Sequence, residues 1–124
     1  FWIGSGRVGV TTTAEFSNRT TPVDAATQSG PMLVIDGALN PQFDVNGPSR
    51  YVRNGVGVTA QGGVRFAISD EVVSFGVFAR LFKDALACPN ALYLDGAVSR
   101  LYVPGEVENG SGGNLGPLIG VYQR

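Results

Sequence analysis

Apolar residues come in short runs punctuated by glycine, proline and polar pairs, and the period of the runs changes once along the chain. Phe1-Trp2-Ile3 and the stretch from Arg7 to Thr12 read as strands joined across Gly4-Ser5-Gly6, which predicts a hairpin. Thr13 to Phe16 predicts a short helical turn, and the polar loop from Ser17 to Thr27 is kept from any long element by Thr21-Pro22. Met32-Leu33-Val34-Ile35, with Gly30-Pro31 before it and Asp36-Gly37 after it, predicts a buried strand closed by a tight turn. Tyr51 to Thr59 alternates in polarity and is rich in β-branched residues, and Ala60-Gln61-Gly62-Gly63 turns it back into Val64 to Ser69, a second hairpin.

From Ser74, a suitable N-cap, the period becomes helical. Phe75, Phe78, Ala79, Leu81, Phe82, Ala85 and Leu86 form one stripe that stops at Cys88-Pro89. Ala91 to Asp95 predicts a further apolar strand and Leu101 to Val103 an extended segment. Gly105 to Gly116 reads as a polar glycine-rich loop, and Leu118 to Tyr122 as a closing strand. The pattern specifies an α+β fold: a mixed, largely antiparallel β-sheet with one main helix, about 74–87, packed on it. The helix between Ile68 and Ala91 leaves room for one parallel crossover.

Composition restricts the class. The 124 residues suit one domain, and 44% hydrophobic content with a net charge of −1 excludes an intrinsically disordered chain. Glycine, at 18 residues, is about twice its usual share but lacks the three-residue period of collagen, so it belongs to turns and close backbone approaches. The chain has no histidine and only Cys88, which removes Ser-His-Asp and Cys-His catalysis and thiolate zinc clusters. Carboxylates, tyrosines or water must move protons, and neither a metal nor another cofactor is expected. Basic and acidic residues, 9 and 10, are scattered, so no nucleic-acid partner is expected. No apolar run approaches the roughly 18 residues that span a bilayer.

Gly4-Ser5-Gly6-Arg7-Val8-Gly9 fits a dinucleotide fingerprint but continues into β-branched residues rather than into a helix, which the pyrophosphate would need. Cys88, with no histidine to activate it, reads as a buried inert thiol. Three polar clusters abut strands: Gln28-Ser29-Gly30, Arg53-Asn54-Gly55, and Asp95-Gly96 with Ser99. Each taken alone is either an ordinary turn or one wall of a cleft.

In order along the chain, Ala26 to Leu33, Arg50 to Val58, Phe78 to Phe82, Cys88 to Gly96 and Gly116 to Val121 resemble the phosphodiester glycosidase family, which contains the catalytic domain of the mannose 6-phosphate uncovering enzyme. The resemblance implies hydrolysis of the glycosidic bond of a sugar-1-phosphodiester, such as N-acetylglucosamine-1-phosphate linked to another sugar, in an exported compartment. It implies Asp95 and Arg53 as catalytic residues, and Gln28, Ser29, Gly30, Asn54, Gly96 and Ser99 as substrate-binding residues. Arg53 is expected to clamp a phosphate oxygen bidentately. Asp95 is expected to stabilise an oxocarbenium-like centre or activate water. Gly30, Gly55 and Gly96 are expected to let the ligand approach bare backbone.

Where the family motif has a second glycine after its Asp-Gly pair, this chain has Ala97. The family domain also has an N-terminal half ahead of these motifs. The chain is therefore expected to be the C-terminal portion of the domain, opening mid-sheet with an exposed edge at Phe1 that pairs with the missing half or with a second copy. The competing expectation is a noncatalytic glycan- or phosphodiester-binding module of the same fold.

Overall fold

The computed structural model describes residues 1–44, 46–96, 99–105, 107–110, 116 and 118–122. Ala97 and Ser111 to Gly113 lie outside them. The N-terminal hairpin joins β1 (Trp2–Gly4) to β2 (Arg7–Gly9) through Ser5 and Gly6, both at positive φ, the tight turn that matches strand twist. Helix α1 (Thr13–Ser17) begins with a capping box: the Thr12 side chain accepts from the Glu15 backbone N–H, and the Glu15 carboxylate accepts from the Thr12 backbone N–H at 2.8 Å. Strand β3 (Ala25–Ala26) then pairs with β1, so β1 lies between β2 and β3. Strand β1 is thus paired on both sides, and the outer strands of this small sheet are β2 and β3.

Five strands make the main sheet: β4 (Met32–Ile35), β5 (Ala38–Leu39), β6 (Asn54–Val58), β7 (Val64–Ile68) and β8 (Asn90–Asp95), in the order β5-β4-β8-β6-β7. All described pairings are antiparallel. The anticipated parallel crossover exists in split form: β7 and β8 run in the same direction with β6 between them, linked by the helix. Helix α2 (Phe75–Arg80) is capped by Ser74 Oγ, which accepts from the Val77 N–H at 3.2 Å, and continues as a π-helical turn, Leu81–Ala85. The wider winding, closed by Leu86 N–H to Leu81 C=O at 3.0 Å, turns Leu81 and Ala85 outward from the stripe predicted to be buried.

Alternation divides the core. On the helix face Leu33, Val34, Phe78, Ala79, Phe82, Cys88 and Ala91 pack together. On the opposite face Val56 and Leu92 meet Val10, with Phe1 and Met32 against them. Glycine in β6 is a packing requirement: a Cβ on Gly57 would lie 2.7 Å from both Cys88 Sγ and Phe82 Cδ1, and one on Gly55 would lie 3.1 Å from Phe82 Cε2. Gly55 therefore admits the helix, and the expectation that it bares backbone for a ligand is corrected.

Two C-terminal expectations also change. Strands β9 (Arg100–Val103) and β10 (Val107–Gly110) form a hairpin turned at Gly105, whose φ is +78°, where a continuous loop from Gly105 was expected. Residues 118–122 form no strand, and Leu118, Val121 and Tyr122 are largely exposed, so their apolar character alone finds no ladder to join.

Candidate functional site

At one end of the main sheet the pairing of β6 with β8 slips: Gly55 faces Tyr93, yet Asn54 faces Asp95, leaving Leu94 as the extra residue of a bulge. Asn54 stands two residues from Val56 and so belongs to the face away from α2. The bulge brings Asp95 opposite it, where uninterrupted register would have put Leu94. Asn54 then ties the end of β8 together. Its Oδ1 accepts from the Asp95 backbone N–H at 2.8 Å, and its Nδ2 donates to Ser99 Oγ at 3.0 Å. Ser99 is buried and its hydroxyl also reaches the Asp95 carbonyl at 3.5 Å. The exposed Asp95 carboxylate accepts from the Gly96 N–H at 2.6 Å.

Arg53, one residue earlier, is on the helix face. Only 1% of it is exposed. Its Nε donates to the Val73 carbonyl at 2.9 Å, and its Nη2 donates to the Ser49 carbonyl at 2.8 Å and to Ser49 Oγ at 3.1 Å. The guanidinium lies 3.5 Å over the Phe75 ring, with Tyr93 at 5.4 Å and Tyr51 at 5.6 Å. Phe43 stacks on the other side of this cage, its ring 4.8 Å from that of Phe75. A bidentate phosphate grip by Arg53 would have to break these contacts, since Nε and Nη2 already donate to Val73 and Ser49 and the side chain is sealed from solvent.

Tyr93 links the two faces. Burial pushes its phenol above the ordinary tyrosine value, and the nearby Arg53 charge opposes that rise. Its hydroxyl occupies the space beside the Gly96 Cα where a side chain would go, so the bareness of Gly96 serves Tyr93.

The Gln28-Ser29-Gly30 cluster runs beside β8. Ser29 Oγ donates to the Tyr93 carbonyl at 2.8 Å, and the Tyr93 N–H donates to the Pro31 carbonyl at 3.1 Å. Gln28 Nε2 donates to Thr13 Oγ1 at 3.3 Å at the wall of a cleft of about 340 Å³. Gly30 has open space above its Cα. Asn54, Asp95, Gly96 and Ser99 thus meet at one point, with Ser29 beside them across Tyr93, Gln28 in the cleft and Arg53 behind the sheet. Tyr93, Tyr51 and Phe75 were not singled out from sequence as site residues; the aromatics beside Arg53 and Asp95 were the available signal. Among the described residues no cluster of three acidic or cysteine side chains is arranged to hold a metal ion.

The model of the phosphodiester glycosidase family matches residues 3–121. The chain belongs to the phosphodiester glycosidase family. It is 35% identical over 105 residues to the uncharacterized protein YigE of Escherichia coli (strain K12), a match that covers 85% of this chain and 41% of that protein. The chain therefore spans about two-fifths of the length of this relative. No solved structure matches it significantly. Within the phosphodiester glycosidase match lie all three polar clusters, and no described helix is long and apolar enough to cross a membrane.

Proposed function

We propose that this domain takes part in hydrolysing the glycosidic bond of a sugar-1-phosphodiester, releasing the terminal sugar and leaving a phosphomonoester on the second group. The observation that carries the reading is the meeting of Asn54, Asp95 and Ser99, three polar residues from distant or non-adjacent positions, in a chain that matches a family of phosphodiester glycosidases. In the reaction the bond between the anomeric carbon and the phosphate oxygen breaks, and the phosphate leaves with the electron pair. Water supplies the new oxygen and gives up a proton. A phosphomonoester is a good leaving group, so the absence of a histidine acid costs little.

Asp95 faces the developing positive charge at the anomeric carbon or takes the proton of the attacking water. Asn54 and Ser99 are positioning residues that fix the backbone from which Asp95 projects. Arg53 acts at one remove, as the cation that holds Tyr93, Phe75 and Tyr51 in place behind the bulge. Gln28 and Ser29 orient sugar hydroxyls. N-acetylglucosamine-1-phosphate joined to a second sugar is the substrate to try first, and an exported compartment is the location to test by fractionation.

The test offers sugar-1-phosphodiesters to the complete protein and measures released sugar. Turnover by wild type and a fall of at least about a hundredfold in Asp95→Asn, with unchanged melting temperature, supports the reading. Absence of turnover by wild type, or unchanged turnover in Asp95→Asn, overturns it.

A further inference from the structure

The cleft beside α1 has a chemistry of its own. Thr11, Thr12, Thr27, Gln28 and Ser29 contribute hydroxyls and an amide, the rings of Phe1 and Phe16 flank them, and Met32 and Leu92 line its apolar part. No charged side chain lines it. Its volume, about 340 Å³, falls in the range of small-molecule sites.

An uncharged polyol ring matches this lining better than any alternative. Hydroxyls and an amide both donate and accept, which is what sugar hydroxyls require, and aromatic rings offer flat apolar faces to the C–H side of a pyranose. A phosphate would call for Lys or Arg side chains, and none lines the cleft. A lipid chain would leave these polar side chains facing hydrocarbon. The walls are also fixed before any ligand arrives. Thr12 Oγ1 donates to Glu15 Oε2 at 2.9 Å, and Gln28 Nε2 is tied to Thr13.

The position is equally telling. Leu92 in the cleft and Asp95 in the polar cluster are on one strand, three residues apart, a rise on the order of 10 Å. Leu92 pairs with Val56 and Asp95 with Asn54, so both partners on β6 belong to the face away from α2. That reach suits a ligand with one ring in the cleft and its phosphate end near Asp95.

We propose that this cleft is a subsite for a neutral sugar ring, which holds the end of the substrate remote from the Asp95 cluster. The place of the ring in the reaction rests on the sugar-phosphodiester reading; the binding of the ring does not. The test is saturation-transfer NMR on the complete protein, with methyl glycosides of neutral hexoses and N-acetylhexosamines as probes and inorganic phosphate as competitor. At least one glycoside should bind, phosphate should not displace it, and Thr27→Val with Gln28→Leu should weaken it about tenfold.

Phe16→Ala, a change at a residue already 38% exposed, should weaken binding severalfold without touching the core, and it remains informative if the double variant folds poorly. Asp95→Asn should bind the glycoside as wild type does. No binding by any glycoside, displacement by phosphate, wild-type affinity in a folded cleft variant, or loss of binding in Asp95→Asn each overturns the subsite. Glycoside binding that behaves as expected, in a protein that hydrolyses no sugar-1-phosphodiester, leaves the subsite standing and removes the proposed reaction.

Discussion

Arg53 and Asn54 are adjacent in the chain and inhabit opposite sides of one sheet. Arg53 is sealed behind the helix, its Nε and Nη2 donating to Val73 and Ser49 and its charge covered by Phe75. Asn54 is half-buried at the sheet end and holds Asp95 and Ser99. A strand sends successive side chains to opposite faces, so a polar motif of two consecutive residues has two environments. The pair teaches that one such motif can hold both a structural cation and a positioning amide, and that burial decides which is which.

Arg53→Ala tests the structural half most severely. It should cost about 3 kcal/mol or more of stability in urea denaturation, because the Val73 and Ser49 carbonyls lose their donors and the aromatic cage loses its filling. A folded, fully stable Arg53→Ala protein with lost turnover would return Arg53 to the substrate. For the other half, Asn54→Ala should keep most of the stability and lower sugar release by roughly tenfold to a hundredfold, through a looser Asp95. A loss of stability as large as that of Arg53→Ala, with turnover per folded molecule unchanged, would erase the distinction.

Gly57→Ala probes the packing that separates the faces. The new Cβ would press on Cys88 and Phe82, and about 1–3 kcal/mol of stability should be lost. The smallest effect concerns acid. Hydrogen bonds from the Thr12 backbone and side chain hold the Glu15 carboxyl below its ordinary value. A depressed folded value means that this stabilisation is present above the unfolded value, near 4.5, and is lost as pH falls through the folded one. Thr12→Ala should therefore narrow the difference in melting temperature between pH 7 and pH 3, read by circular dichroism.

The main sheet was largely legible. Met32 to Ile35, Val64 to Ile68 and Ala91 to Asp95 carry β-branched or apolar runs closed by turn pairs, and the helical stripe from Phe75 is unmistakable in period. The strand expected from Tyr51 begins instead at Asn54, with Tyr51 only bridged to Val73, because the Arg53 N–H donates to Ser69 Oγ in place of a ladder carbonyl. That cage joins residues from positions 43, 51, 75 and 93, and no local pattern announces it. Strand β10 escaped notice because Glu108-Asn109-Gly110 has turn composition and becomes a strand only beside β9. The cleft was hidden for a similar reason: its hydroxyls come from two loops, and scattered threonines look like solvated surface until a β3 pairing draws them together.

Strand β8 sits at the centre of the five, yet it is the last of them in the chain. Before it arrives, β4 with β5 and β6 with β7 are two local hairpins with no ladder between them. Each is too small to persist alone in water. The order of synthesis thus delays the joining step until residue 90 has emerged, and the sheet assembles by insertion of a strand between two waiting edges. Folding of such a sheet is governed by that late, non-local closure, and mutations along β8 should slow folding more than mutations in either hairpin turn.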